Sequence, residues 1–155
     1  MCALSNMARI LIVDDEPLIL RVLSTLFKTY GYEAFIASDG TEALDMLKAQ
    51  KADVVLSDVR MNRMNGIEFL RRVRSDYPQL PVIMLTGFAT INTATEALTL
   101  GAFDYTTKPV KVDNLLAIVR RALDSVVTDQ VSHEECKKLY EKFLRFGGIV
   151  AASPA

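Results

Sequence analysis

The chain has 155 residues, half of them hydrophobic and 24% charged, with 18 basic and 19 acidic side chains for a formal net charge of -1. This is the balance of one folded domain with a little chain to spare; it carries neither a basic excess for nucleic acid nor the acidic block of a disordered tail. No apolar run is long enough to cross a bilayer, Met1–Met7 lacks the order of a signal peptide, and Cys2 and Cys136 make no metal-type spacing, so a reducing cytoplasm is the expected compartment.

In chain order, Arg9–Val13 (RILIV) is a continuous apolar run that predicts a strand buried on both faces. Ile19, Val22, Leu23, Leu26 and Phe27 then share one helical face, with Pro17 in the tolerant first turn. Glu33–Ala37 predicts a weaker strand. Asp39 followed by Glu42 reads as a capping box opening a helix with Ala43, Leu44 and Leu47 inward. Asp53–Leu56 is a second strong strand. Ile67, Leu70 and Val73 mark a third helix, ended before Pro78. Pro81–Leu85 is a third strong strand, and Ile91, Ala94, Ala97 and Leu98 mark a helix closed by Gly101. Ala102–Thr106 is a weaker strand. Val112, Leu115, Leu116, Val119, Ala122 and Leu123 form the clearest helical stripe.

Strand and helix therefore alternate five times over 8–124. Short connections in such an alternation predict a doubly wound α/β domain, (βα)5, with a five-stranded parallel sheet. Ligands in these folds bind beyond the carboxyl ends of the strands. The predicted strands end at Asp14-Asp15-Glu16, Ser57-Asp58, Thr86-Gly87 and Thr107-Lys108-Pro109. Taken singly, each of these reads as a turn, a cap or a solvated side chain. Together they bring three carboxylates, a hydroxyl and an ammonium to one rim.

Two carboxylates about 4 Å apart repel by roughly 4 kcal/mol at an effective dielectric near 20, so Asp14, Asp15 and Asp58 need a cation or a shared proton. Mg²⁺ takes one or two carboxylates, keeps several waters, and leaves room for a phosphate oxygen. An ionised carboxylate can attack phosphorus to form an acyl phosphate. The metal, Lys108 and Thr86 would each meet one peripheral oxygen of the transferring group. The inventory is that of phosphoryl transfer to an aspartate.

The segments Ile10–Pro17 (ILIVDDEP), Asp53–Met61 (DVVLSDVRM), Val82–Gly87 (VIMLTG) and Ala102–Pro109 (AFDYTTKP) resemble the response-regulator receiver domain of two-component signal transduction. Gly31-Tyr32 and Ala37–Leu44 also sit as they do in that family, and the likeness covers Ala8 to Asp124. The resemblance implies a flavodoxin-like fold and a phosphorylation-dependent switch, not an enzyme beyond its own phosphorylation and dephosphorylation. It implies Asp58 as phosphoacceptor, fed by a sensor histidine kinase or phosphotransfer protein. Asp15, Asp58 and the backbone carbonyl of Arg60 would ligate Mg²⁺ directly, with Asp14 acting mainly through water. Lys108 would pair with the phosphoryl group and precede a cis Pro109. Thr86 would move to bond the phosphoryl oxygen while Tyr105 swings inward behind it, remodelling the face built from the fourth helix, fifth strand and fifth helix.

The chain departs from the family at Arg60–Gly66 (RMNRMNG), where Asn62, Arg63 and Asn65 replace a proline-glycine turn and an aspartate. Asn65-Gly66 still supports a turn. Loop rigidity and dephosphorylation rate are what the change touches, and the Arg60 side chain is a candidate to reach the phosphoryl group and alter its lifetime.

The extension 125–155 predicts an additional amphipathic C-terminal helix over about 133–146, from Ser132 and Glu135 through Cys136, Leu139, Phe143 and Phe146, then a disordered tail. Its expected role is to pack on the receiver or to form a homodimer or partner contact. His133 reads as a polar first-turn residue and Cys136 as a small hydrophobe. No nucleic-acid-binding or membrane element is predicted. The run VIMLTGFATINTATEAL resembles receivers attached to enhancer-binding ATPases, which keeps open a fragment of a longer transcription regulator alongside a stand-alone switch or an unphosphorylated scaffold. A haloacid dehalogenase-like phosphatase would need an acid where Arg60 stands. A flavin or nucleotide binder would need a phosphate loop where Asp14-Asp15-Glu16 stands.

Overall fold

The computed structural model describes residues 7–61, 63–87 and 90–130. The elements run β1 (Arg9–Val13), α1 (Pro17–Thr29), β2 (Glu33–Ala37), α2 (Gly40–Ala49), β3 (Val54–Ser57), α3 (Gly66–Asp76), β4 (Val82–Thr86), α4 (Ile91–Thr99), β5 (Asp104–Thr107) and α5 (Val112–Gln130). The five strands form one parallel sheet in the order β2-β1-β3-β4-β5, the flavodoxin-like winding. Strand order reverses between β1 and β3, so the crevice this winding opens lies over their carboxyl ends. The chain divides into a unit ending at Leu123 and another beginning at Asp124. The predicted helix at 133–146, the tail, Cys2, Cys136 and His133 lie outside the described residues, as does Asn62.

β1, β3 and β4 are buried on both sides because alternate residues feed two cores. Ile10, Ile12, Val54, Leu56, Ile83 and Leu85 face one core with Phe27 of α1 and Leu115, Ile118 and Val119 of α5. Leu11, Val13, Val55, Val82 and Met84 face the other, with α2, α3 and Ala97 of α4. β2 and β5 lie at the sheet edges and are only half-buried, which is why their sequence signal is weaker.

Three helix faces differ from expectation. In α1, Val22 is 54% exposed while Leu20 is buried; the run Leu18-Ile19-Leu20 leaves the phase of the stripe ambiguous, and the buried face follows Leu20 and Phe27. In α4, Ile91 and Leu98 are 85% and 51% exposed, and Ala97 is the residue that packs. Val112 of α5 is also exposed, and Ile118 takes a core place. Strand bounds shift by a residue or two: β3 reaches Ser57, β4 reaches Thr86, and β5 starts at Asp104.

Capping fixes where the helices begin. The Asp39 carboxylate accepts from Glu42 N at 2.8 Å, as predicted, but in return the Glu42 carboxylate accepts from Ser38 N, at 2.7 Å, rather than from Asp39 N. Asp39→Ala should lower stability by about 1 kcal/mol, read from the chemical denaturation midpoint. Gly101, expected to close α4, has φ +104, and its carbonyl accepts from Arg74 of α3.

Candidate phosphoacceptor site

Register brings distant residues to one rim. Val13 pairs with Ser57 across β1 and β3, so Asp14 and Asp58 follow side by side, and Asp58 N donates to Val13 O at 2.9 Å. Thr86 pairs with Thr107 across β4 and β5, and Lys108 N donates to Thr86 O at 2.8 Å. That bond fixes the backbone from which the Lys108 side chain reaches inward. The Lys108–Pro109 peptide is cis, as the resemblance implies.

One ligand atom from each of Asp14, Asp15 and Asp58 lies within 4.8 Å of the others. Lys108 Nζ donates to Asp14 Oδ2 at 2.7 Å and to Asp58 Oδ2 at 3.4 Å. The other Asp14 oxygen accepts from Glu16 N at 2.9 Å, while Asp58 Oδ1 accepts from Arg60 N at 3.3 Å. Asp14 is thus held tightly on both oxygens, and Asp58 only by two long bonds. The lysine is anchored on Asp14, and its contact with Asp58 is the longer one.

The electrostatics agree. Burial raises the Asp58 carboxyl above its ordinary value and the neighbouring Asp14 charge raises it further, against the opposing pull of Lys108 and the Arg60 N–H. A raised carboxyl pKa means that folding disfavours the anion, so above the ordinary carboxylate range Asp58 costs stability that a cation would restore. Burial pulls the Lys108 ammonium down, but hydrogen bonds and charge from Asp14 and Asp58 outweigh it and the net shift is upward. With all groups ionised, three carboxylates face one ammonium, and the site keeps two negative charges. The hard oxygen donors, their spacing and this surplus fit a small divalent cation.

Of the other predicted residues, Thr86 is buried at the end of β4. Tyr105 is half-buried on β5, its hydroxyl 2.9 Å from Thr93 Oγ1 of α4. Arg60 is exposed. The groove beside Asp15 is lined by Asp39, Glu42 and Asp45, with Arg63 among them; it would repel the phosphates of a flavin or nucleotide.

Two contributors escaped the sequence reading. Asn65, read as a turn residue, caps α3 by accepting from Glu68 N at 2.9 Å. Gly66 stands where a Cβ would lie 2.1 Å from Asp58 O and 2.7 Å from Val59 Cα. The Asn-x-x-Glu spacing of a cap could have revealed the first; the second depends on a tertiary approach with no local signal.

A family model described as the response regulator receiver domain matches residues 10–120. The regulatory protein AtoC of Escherichia coli is 43% identical over 150 residues, covering 95% of this chain and 32% of that protein. The transcriptional regulatory protein ZraR of Escherichia coli is 37% identical, covering 94% and 32%. This chain therefore spans about a third of the length of these curated relatives. Among solved structures, the chemotaxis protein CheY4 of Vibrio cholerae is 37% identical with a TM-score of 0.72, covering 76% of this chain and 100% of that one. NtrX from Brucella abortus is 31% identical with a TM-score of 0.76, covering 81% and 29%.

Proposed function

This chain belongs to the response regulator receiver domain family, and on that premise we propose that it is a switch operated by phosphorylation of Asp58, with a sensor histidine kinase or phosphotransfer protein as donor. The observation that carries this reading is a single ammonium, Lys108, spanning Asp14 and Asp58 in a cluster of three carboxylates.

In the proposed reaction an Asp58 oxygen attacks phosphorus, an acyl phosphate bond forms, and the phosphorus–nitrogen bond to the donor imidazole breaks with the electron pair leaving on nitrogen. Asp15, Asp58 and the Arg60 carbonyl would hold Mg²⁺, with Asp14 beyond them. Bound there, Mg²⁺ would supply positive charge to a phosphoryl oxygen and to the crowded carboxylates. Lys108 pairs with a second oxygen, and the Thr86 hydroxyl donates to a third. Arg60, two residues after Asp58, is close enough in sequence to modulate the lifetime of the product.

The output follows from what Thr86 and Tyr105 do next. Their shift would alter the face of α4, β5 and α5, on which Ile91 and Leu98 already present exposed apolar side chains to a second copy or an effector. The regulatory proteins AtoC and ZraR, to which the chain is similar, support an output in transcriptional regulation. The cytoplasm is the proposed compartment; among the described residues no helix is long and apolar enough to cross a membrane.

The test is a beryllofluoride titration with Mg²⁺, following backbone amide shifts. Wild type should shift at β1, β3 and β4 termini and along α4, and Asp58→Asn should not respond. A wild type that does not respond would point to a scaffold receiver instead.

A further inference from the structure

Thr90 and Thr93 close a reciprocal capping box at the start of α4. Thr93 N donates to Thr90 Oγ1 and Thr90 N to Thr93 Oγ1, each at 3.1 Å. The Thr93 hydroxyl has one proton and two lone pairs. Its proton goes to Thr90 O at 3.1 Å and one lone pair takes the Thr90 N–H. The remaining lone pair faces the Tyr105 hydroxyl at 2.9 Å, and the Thr90 hydroxyl is also 2.9 Å away. Thr90 is exposed, so its proton has water as an alternative, whereas the Tyr105 ring is packed against the core shared with α2, α3 and α4. Whichever hydroxyl donates, the 2.9 Å bond between Tyr105 and Thr93, twelve residues back in the chain, ties β5 to the first turn of α4.

We propose that Thr93 is a latch: it holds Tyr105 to α4 in the conformation described, and the inward movement of Tyr105 that accompanies a phosphoryl group on Asp58 breaks this bond. The inference rests on the reading of Asp58 as phosphoacceptor and adds a residue that sets the threshold of the switch. A contact present in one conformation only biases the equilibrium toward it, and removing it favours the other by the same factor. Thr93 is a positioning residue here, since it acts through Tyr105.

Beryllofluoride with Mg²⁺ serves as the probe, its dissociation constant measured by calorimetry on the full chain. Thr93→Val should bind about fivefold more tightly than wild type, the factor a neutral hydrogen bond is worth in an equilibrium. Thr93→Ser, which keeps the hydroxyl, should match wild type. In the Tyr105→Phe background, Thr93→Val should change nothing, because the partner is already gone. Equal tightening in both backgrounds would assign the effect to the capping box and overturn the latch; unchanged affinity of Thr93→Val would overturn it as well. A wild type that binds no beryllofluoride would overturn the phosphoacceptor reading itself, and the latch with it.

Discussion

Replacing Gly66 with alanine should destabilise the fold by about 3 kcal/mol, at the upper end of the cost of overpacking. A Cβ there would lie 2.1 Å from Asp58 O, 2.7 Å from Val59 Cα and 2.9 Å from Asp58 C. All three are backbone atoms, so no side chain can turn away to make room. The backbone cannot shift easily either, because Gly66 N donates to Val59 O at 2.7 Å and Asp58 N to Val13 O at 2.9 Å. Relief would have to come from the loop that carries Asp58, the proposed phosphoacceptor, so weaker beryllofluoride binding should accompany the lost stability. Gly87→Ala is the control: its Cβ would meet nothing within 4 Å, and stability should be unchanged. Chemical denaturation of the two variants reads the difference, and a cost under about 1 kcal/mol for Gly66→Ala would show that the loop yields more readily than native packing normally does.

Lys108→Ala should slow phosphorylation by a small-molecule phosphodonor by about a hundredfold or more, the loss expected when one fixed charge is removed from a developing phosphoryl transition state. Two effects combine. The variant loses the cation 2.7 Å from Asp14 and 3.4 Å from Asp58, and it leaves both carboxylates, 2% and 8% exposed, without that counter-charge. The second effect raises the Asp58 carboxyl pKa further and reduces the anion proposed as nucleophile. Lys108→Arg should restore charge without restoring rate, since a planar guanidinium differs in size and hydrogen-bond geometry from a compact ammonium. Initial rates at saturating Mg²⁺ measure this, and a Lys108→Ala rate within threefold of wild type would confine Lys108 to a structural role.

How much of this could be read from the sequence depends on whether a feature is local. β1, β3 and β4 were legible because a strand covered on both faces is a continuous apolar run, and the strand-end rule then brought Asp14, Asp15, Asp58, Thr86 and Lys108 toward one rim. The helix faces were less legible. Apolar spacing in α4 put Ile91 and Leu98 inward, yet both are exposed, because periodicity marks a face without saying whether it packs on the domain's own sheet or is left to solvent. In α1 three consecutive apolar residues allowed two phases, and tertiary packing chose the one through Leu20. Gly66 and the Thr93–Tyr105 bond were invisible for a deeper reason. One depends on α3 approaching the Asp58 backbone, the other on a hydroxyl pair separated by a helix and a turn, and neither leaves a pattern in neighbouring residues.

Intact-protein mass spectrometry after incubation with a small-molecule phosphodonor and Mg²⁺, with peptide mapping of the product, tests the role of Asp58 most directly. The wild-type chain should gain a single phosphoryl group, mapped to Asp58, and neither Asp58→Asn nor wild type held with a chelator should gain it. An unmodified wild type, or modification that persists undiminished in Asp58→Asn, would contradict the account.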